Sequence, residues 1–520
     1  MTELAQWPGA LTRAIEQMRE HLHELRPEVR VERLGRVVAV ADGVARVEGL
    51  ERATLGELLE VGAGVTGLAE EVDEDRVRVV LLDPGAVHSG DPVRRAERAL
   101  DVPAGPELIG RVVDPLGRPL DERGPITTHE HQRRRIERAQ VPLIDRAVVD
   151  RPLRTGVFAL DTMIPIGRGQ RQLIVGDRST GKTELGIELL AALDRELVGI
   201  YVAIGRRASE TAATIEQLRA RGLFEHGFAV VSEADDPIGL IHLTPYAATT
   251  MAESLVEQGR DVVIVYDDLS NHANAHRSLA LLLGRPVGRE AHPVDVFYAH
   301  ARLLERAAAF GPSRGGGSLT AFPLIETQGG DLAGYIPTNV ISITDGQIRL
   351  DAALAATGLQ PAIDVGLSVS RVGGKAQPKL VRRLAGSFKN RYAQYLELES
   401  FARFGTRLEH EAQRVVDWGR RVRAVLHQER GQPQSWAQTI ARLLLIEQPS
   451  FIEIALAEVA ATMKRDVERL CQLARFDARG IDEGRVGVER LPELIAIAAA
   501  LGPEQAPEQA PEASPEEAPK

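Results

Sequence analysis

The pattern of apolar and polar positions changes four times along this chain of 520 residues. Over residues 1–28, apolar side chains recur at spacings of three and four, at Leu11, Ile15, Met18, Leu22 and Leu25. This spacing predicts one amphipathic helix. A short helix in front of a domain either packs on its own core or docks on a partner, and the pattern alone favours neither.

Residues 29–102 read as short apolar runs separated by Gly, Asp and Pro, as in GRVVAVADGVARVEGL. Asp42-Gly43 stands between two valine-rich runs, which is the signal of a tight turn between antiparallel strands. The segment holds six or so such runs. Many short strands joined by turns predict a small β-barrel.

Residues 103–388 alternate β-branched apolar runs with helical segments. The runs are QLIVG, VGIYVAIG, FAVVSE and DVVIVYDD, and the intervening helices include TELGIELLAALDRE and SETAATIEQLRARG. Strands that alternate with helices predict a mostly parallel sheet covered on both faces. This part is therefore expected to be an α/β nucleotide-binding domain, provided that a phosphate-binding motif is present.

Beyond this domain, residues 389–502 carry long amphipathic stretches such as FIEIALAEVAATMKRDVERLCQLA, which predict a helical bundle. The final residues, 503–520, repeat Pro, Glu and Ala and cannot bury a core, so a disordered tail is expected.

Composition narrows the possible functions. The formal net charge is −11, which argues against a protein that coats nucleic acid, since phosphate backbones attract basic surfaces. The single cysteine, Cys471, cannot form an internal disulfide. The N-terminal stretch has no apolar core of the kind found in signal peptides. The longest apolar run, at 494–501, is far shorter than the roughly 20 residues that span a bilayer. Any membrane association is therefore expected to come through partners.

A phosphate-binding loop follows the first run of the α/β domain. The motif GxxxxGK[ST] is met by Gly176, Asp177, Arg178, Ser179, Thr180, Gly181, Lys182 and Thr183. It lies between a predicted strand and a predicted helix, which is the structural context in which this motif binds phosphate. Lys182 is placed to contact the β- and γ-phosphates of ATP, or the β-phosphate of ADP, and the Thr183 hydroxyl to ligate Mg²⁺.

An acidic residue ends the strand VVIVYDD. Asp267 would emerge at the carboxyl edge of the sheet, where ligands bind in such folds. Asp267 is the candidate second contact for Mg²⁺, and Asp268 is the less favoured alternative.

At this point the residues resemble a known family, the alpha subunits of F-type ATP synthases. The resemblance is carried by PIGRGQRQLIVGDRSTGKTE, YDDLS, LLLGRPVGREAHPVDVFYAHARLLERAA, GYIPTNVISITDGQI and PAIDVGLSVSRVGG. It runs from about residue 10 to about residue 470. The resemblance implies an N-terminal β-barrel, a central RecA-like P-loop domain with a mostly parallel sheet, and a C-terminal helical bundle.

Alpha and catalytic beta subunits of this family differ after the strand that ends at Gly205. Beta subunits have a glutamate there that polarises the attacking water, and alpha subunits have a glutamine. Here the residue is Arg206, followed by Arg207. A guanidinium stays protonated and cannot act as a general base. Glu210 is expected to be a solvated acid at the start of a helix, so the resemblance implies a site that binds Mg·ATP without hydrolysing it.

The resemblance also implies a contribution to a neighbouring site. Arg371, in GLSVSRVGG, resembles the arginine finger that reaches the γ-phosphate bound by the adjacent beta subunit. Such an arginine stabilises charge on the transferring phosphoryl group. Ser368 in the same block matches a position tied to activity in the family, through the geometry of the subunit interface.

On the adenine side the alignment is ambiguous. The residues that match the family's adenine-side glutamines are Gln428 and Arg430 if no gap is allowed, or Gln432 if two residues are inserted. Gln360 and Pro361 are the other candidates on this side. Ser179 stands where most alpha subunits have glutamine, and Gln360 stands where an arginine is usual. These departures suggest a divergent bacterial branch, such as the second, sodium- or proton-linked ATPase that some bacteria carry, and they put nucleotide affinity in doubt more than the fold.

The partners implied are beta subunits that alternate with this chain in a hexamer, a central-stalk gamma subunit, and a delta-type peripheral-stalk subunit, or a functional substitute for it, at the N-terminal helix. The membrane ion-translocating sector is an indirect partner, no nucleic acid is expected, and the complex would lie peripherally on the cytoplasmic face of the bacterial inner membrane. The alternative is a self-sufficient hexameric ATPase such as a type III secretion motor, which predicts a carboxylate in place of Arg206. A Rho-like RNA translocase would need aromatic residues in its front domain, and residues 30–102 contain no Phe, Tyr or Trp.

Overall fold

The computed structural model describes residues 34–126, 133–138, 140–403, 409–474 and 488–501. The predicted N-terminal helix and the Pro/Glu/Ala tail lie outside these residues. The described part has three regions in chain order: a barrel, a nucleotide-binding domain and a helical region. This layout confirms the predicted fold class.

A closed six-stranded antiparallel barrel forms the first region, with strands in the order β1-β2-β5-β4-β3-β6. The strands are β1 (Gly35–Ala41), β2 (Val44–Glu48), β3 (Glu57–Val61), β4 (Val65–Val72), β5 (Arg76–Leu81) and β6 (Pro92–Ala99). In β5, Val77, Val79 and Leu81 pack into the barrel interior, because successive side chains of a strand point to opposite faces. Val80, on the other face, belongs to the core shared with the next domain.

The predicted turn joins β1 to β2. Asp42 has φ 47° and Gly43 has φ 83°, so both lie in the left-handed region that two-residue hairpin turns require. Ala41 pairs directly with Val44 across the turn.

An eight-stranded sheet organises the second region, in the order β18-β17-β12-β16-β15-β13-β14-β8. All neighbouring pairs are parallel except β17 with β18. The strands from β7 onward are β7 (Asp101–Pro103), β8 (Val112–Val113), β9 (Arg133–Arg135), β10 (Pro152–Leu153), β11 (Ile166–Gly167), β12 (Leu173–Asp177), β13 (Val198–Arg206), β14 (Gly227–Glu233), β15 (Asp261–Asp267), β16 (Ser318–Thr327), β17 (Gly346–Leu350) and β18 (Val369–Ser370).

Helices cover both faces of this sheet. They are α1 (Phe158–Met163), α2 (Lys182–Ala191), α3 (Ala208–Ala220), α4 (Ile238–Val256), α5 (Leu269–Leu282), α6 (Val296–Leu304), α7 (Tyr335–Ile343) and α8 (Ala352–Ala356). The core on one face is continuous with the C-terminal helices, and the core on the other face includes apolar residues of the barrel.

Long helices make up the third region: α9 (Lys379–Arg403), α10 (His410–Leu426), α11 (Trp436–Ile446), α12 (Val459–Ala474) and α13 (Leu491–Ala500). Helix α9 begins before residue 389, where the sequence places the domain boundary. Phe388 of α9 packs on Phe158 of the nucleotide-binding domain at a centroid distance of 5.8 Å and on Trp418 of α10 at 6.0 Å. None of the helices in the described ranges is long and apolar enough to cross a membrane.

Candidate functional site

The P-loop joins β12 to α2 at the carboxyl edge of the sheet. Gly176 is tightly enclosed, since a Cβ there would lie 2.7 Å from the Leu350 carbonyl oxygen. Gly181 has φ 95° and caps α2, and Ser179 has φ 63°. The loop therefore curls before the helix begins, which is the conformation in which the backbone N–H groups of a P-loop can surround a phosphate.

Lys182 lies folded over this loop. Its Nζ donates to the carbonyl oxygens of Gly176 at 2.9 Å and Asp177 at 2.7 Å, and it lies 4.0 Å from Glu326 Oε2. Burial lowers the pKa of Lys182, while Glu326, Asp268 and Asp267 act to raise it. The lysine is thus held by weak carbonyl acceptors that a phosphate can replace.

The remaining P-loop side chains divide into two groups. Arg178 and Ser179 are exposed, and Thr180 is buried with its hydroxyl donating to the Asp177 carbonyl at 2.8 Å. The Asp177 carboxylate turns away from the cradle and accepts from Thr327 Oγ1 at 2.7 Å and from the Gly330 N–H at 2.8 Å. These hydrogen bonds hold the pKa of Asp177 below its usual value. Asp177 therefore braces the loop, and only its backbone faces the lysine.

Asp267 ends β15 and is 1% exposed. Tyr201 donates its hydroxyl to Asp267 Oδ2 at 2.8 Å, and Arg206 Nη1 donates to Oδ1 at 3.2 Å. Burial and the Asp267 charge raise the pKa of Tyr201, so the phenol stays protonated as a donor. Both carboxylate oxygens thus already have partners.

Asp268 has a different task. Its carboxylate accepts from the Asn271 N–H at 2.9 Å and caps helix α5. Burial raises the pKa of Asp268 to about 6, and the neighbouring Asp267 carboxylate acts in the same direction.

Arg206 ends β13 and connects two carboxylates. Besides Asp267, its guanidinium contacts Glu210 on α3, with Nη2 3.1 Å from Oε2. Arg207 is more exposed and lies 3.9 Å from Glu210. Although burial opposes it, the Asp267 charge raises the pKa of Arg206 above its already high value. Glu210 is at the start of a helix as predicted, but it is paired.

A pocket of about 170 Å³ opens beside the P-loop. It is lined by Ser179, Thr180 and Gly181 together with Gln360, Pro361, Gln428 and Arg430. The Gln428 amide donates to the carbonyl oxygens of Gly156 at 2.7 Å and Gln432 at 2.9 Å, and accepts from the Phe158 N–H at 3.1 Å. Gln432 is absent from the lining and donates instead to Glu429 at 2.6 Å. The structure thus brings Gln360, Pro361 and Gln428 to the cradle, and leaves the Gln432 side chain outside it.

The donors around the P-loop suit a nucleotide. Backbone N–H groups, Lys182 and an adjoining half-polar pocket are what the phosphates and base of ATP require. For Mg²⁺ the fit is narrower, because the half-buried Thr183 is in place at the start of α2 while both oxygens of Asp267 are already hydrogen-bonded. Within the described ranges, no cluster of three or more His, Cys, Asp or Glu side chains is arranged to hold a metal by itself.

Arg371 and Ser368 lie apart from the pocket, around β18. Arg371 is exposed, and its guanidinium donates to the carbonyl oxygens of Thr344 at 3.1 Å and Ile341 at 3.3 Å, at the end of α7. Ser368 is buried, where its hydroxyl donates to the Asp364 carbonyl at 2.6 Å and accepts from the Arg349 N–H at 2.9 Å. Ser368 therefore fixes the segment that leads to Arg371.

Sequence reasoning missed three residues of this site. Tyr201 holds Asp267, Glu326 faces Lys182, and Glu188 lines the pocket while accepting from the Gly431 N–H at 2.9 Å. The two-residue period of a strand is the signal that could have pointed to Tyr201. Tyr201 lies two positions before Ala203, which pairs with Asp267 across β13 and β15, so both side chains lie on one face of the sheet.

Comparison with known families finds three adjoining matches. Residues 31–96 match the beta-barrel domain of the ATP synthase alpha/beta family, and residues 156–370 match its nucleotide-binding domain. Residues 377–479 match the C terminal domain of the ATP synthase alpha/beta chain.

Individual relatives cover nearly the whole chain. ATP synthase subunit alpha 2 of Polaromonas naphthalenivorans is 49% identical over 90% of this chain and 91% of its own length. ATP synthase subunit alpha 2 of Albidiferax ferrireducens is 46% identical over 95% and 93%, respectively. ATP synthase subunit alpha 1 of Psychromonas ingrahamii is 48% identical over 86% and 85%.

Proposed function

Because this chain belongs to the ATP synthase alpha/beta family, we propose that it is the alpha-type subunit of a rotary ATP synthase or ATPase. The complex couples ATP synthesis or hydrolysis to the transport of protons or sodium ions. The chain alternates with beta subunits around a central gamma subunit, and a delta-type peripheral subunit contacts residues 1–28. The complex lies peripherally on the cytoplasmic face of the bacterial inner membrane.

The chain's own P-loop binds ATP or ADP without hydrolysing it. Mg²⁺ accompanies the nucleotide, with ligands from the phosphates and the Thr183 hydroxyl. The observation that carries the non-catalytic role is the position of Arg206, whose guanidinium occupies the end of β13 and pairs with both Asp267 and Glu210. A general base must be able to accept a proton from water. Arg206 cannot do so, and Glu210 is engaged by two arginines.

Arg371 serves the neighbouring beta subunit's site. Its exposure supports this role, as does the anchoring of the guanidinium on two carbonyl oxygens at the end of α7. A guanidinium carries five N–H donors, so others remain for a phosphoryl oxygen of the adjacent site. Ser368 is a positioning residue that holds the backbone before β18.

The test compares ATP binding by the isolated chain with ATPase activity of the chain assembled with its beta and gamma partners. We expect Lys182→Ala to abolish ATP binding by the isolated chain. We expect Arg371→Ala to lower the activity of the complex by about 10³-fold, the scale on which such arginines act, while binding by the isolated chain persists. Arg383→Ala, which removes another exposed arginine, is the matched control and should leave both unchanged.

Two outcomes would contradict the proposal. Substantial ATPase activity of the isolated chain, abolished by Lys182→Ala, would favour a self-sufficient hexameric ATPase. A wild-type rate of the complex with Arg371→Ala would contradict the role of the arginine.

A further inference from the structure

Hydrogen bonds to the backbone at the end of β13 fix the position of Arg206. The Gly205 N–H donates to Ser232 Oγ at 3.1 Å, and the Asn271 amide donates to the carbonyl oxygens of Ile204 at 3.0 Å and Gly205 at 3.3 Å. These contacts fix the backbone next to Arg206. Its side chain is 21% exposed and crosses from β13 to the end of β15.

Arg206 forms an ion pair with Asp267, the carboxylate that would otherwise help to hold a metal ion. Mg²⁺ is hard and compact, and it is usually bound by one or two carboxylates together with phosphates and water. Asp267 is buried, and its two oxygens accept from Tyr201 and Arg206. A charge-assisted hydrogen bond of this kind is about twice as strong as a neutral one. A metal ion that used Asp267 would have to share this carboxylate with the guanidinium, whose positive charge opposes it.

Arg206 and the P-loop lie at the same edge of the sheet. Strand β12 leads into the P-loop, while β15 and β13 end at Asp267 and Arg206, and all three run parallel in one sheet, so their carboxyl ends meet at one edge. The Arg206 guanidinium therefore offsets, at this edge, carboxylate charge of Asp267 and Glu210 that would otherwise oppose the binding of phosphate. Neutralising such charge is a task that a magnesium ion performs in other sites.

Resting on the proposed binding of nucleotide at this P-loop, we propose that Arg206 is a resident cation that replaces the metal contact of Asp267 and makes retention of ATP largely independent of Mg²⁺. Mg²⁺ still accompanies the nucleotide when present, but it adds little to the affinity.

The test measures ATP binding by the full isolated chain, by equilibrium dialysis, in excess EDTA and in excess MgCl₂. For the wild type we expect the two dissociation constants to agree within about threefold. For Arg206→Gln we expect binding in EDTA to weaken about tenfold or more, as for a lost charged hydrogen bond, and Mg²⁺ to restore most of it. Arg207→Gln removes the same charge from the exposed neighbour and should behave as the wild type.

A second variant guards against misfolding. Arg206→Gln alone leaves the buried Asp267 charge with a neutral neighbour, so the double variant Arg206→Gln/Asp267→Asn removes both charges together. It should keep its far-ultraviolet circular dichroism spectrum and still bind ATP more weakly than the wild type in EDTA. A wild type that needs Mg²⁺ as steeply as Arg206→Gln does would overturn the inference. Failure of the wild type to bind ATP in either buffer would instead contradict the proposed nucleotide site itself.

Discussion

A buried histidine pair predicts how the stability of the nucleotide-binding domain responds to acid. His272 on α5 and His300 on α6 are both fully buried, and His272 Nδ1 lies 3.1 Å from His300 Nε2. Burial lowers the pKa of His300 to about 3, and His276 and His292 act in the same direction. Burial also lowers the pKa of His272 well below its usual value. Both rings are therefore neutral in the folded protein near neutral pH.

The size of the effect follows from proton linkage. In the unfolded chain a histidine has a pKa of about 6.5, so below that pH the unfolded state binds a proton that the folded state does not. Stability contributed by the neutral ring is present above pH 6.5 and is lost as the pH falls from about 6.5 towards the folded value of about 3. At pH 5.5 the loss from His300 alone is about 1.4 kcal/mol relative to neutral pH.

The measurement is the free energy of opening of α5 and α6, obtained from amide hydrogen exchange at pH 7.5 and 5.5 after correction for intrinsic rates. His300→Gln keeps a polar partner for His272 but cannot take up a proton. The variant should lose about 1.4 kcal/mol less than the wild type between the two pH values. His88→Gln, at an exposed position on the barrel, should show the wild-type loss. Equal losses in the wild type and His300→Gln would refute the reasoning.

Two further predictions concern a buried ion pair and a close helix crossing, and both are measured as changes in the free energy of unfolding. Arg306→Met removes a buried guanidinium that binds both oxygens of Glu253 at 2.7 and 2.8 Å. It should cost about 3 kcal/mol because, among the described residues, Glu253 keeps only Arg138 as an ionic partner. Arg302→Met, at a more exposed pair, should cost less than about 1 kcal/mol, and equal costs would contradict this account. Gly419→Ala should destabilise by about 1–3 kcal/mol, because its Cβ would lie 2.0 Å from Tyr395 Cγ where α9 and α10 cross. Gly386→Ala, which meets nothing within 4 Å, should instead stabilise α9 slightly, and a gain at Gly419 would show that the helices can separate freely.

Much of the fold could be predicted because its periodic patterns are strong. In β5 the alternation of Arg and Val sorts side chains between the barrel interior and its outside, which gives the barrel an apolar core. The runs that became β12 to β15 are apolar on both faces, as the strands of a parallel sheet covered by helices are, and their alternation with helical segments favoured this arrangement. The start of α9 at Lys379 could not be located in this way, because GGKAQPKLVRR has no apolar run that marks where the sheet domain ends.

The P-loop could be recognised from the sequence for a similar reason, since its motif is local. On the adenine side the sequence leaves Gln428 and Gln432 as alternatives beside Gln360, because these residues meet only through the tertiary fold: the Gln428 N–H donates to the Gln360 carbonyl oxygen at 2.7 Å. The role of Asp177 in bracing the loop could not be predicted for the same reason, since its partners Thr327 and Gly330 belong to a distant part of the chain.

Arg206 joins two consequences that sequence reasoning treated separately. As a residue type it removes the base, and that much follows from its chemistry alone. Its effect on Asp267 depends on β13 and β15 being neighbours in the sheet, with Ala203 opposite Asp267, so that a side chain three residues further on reaches the end of the adjacent strand. Under the proposed function, one residue at a strand end therefore acts on both the attacking water and the metal contact, while the P-loop itself keeps its motif.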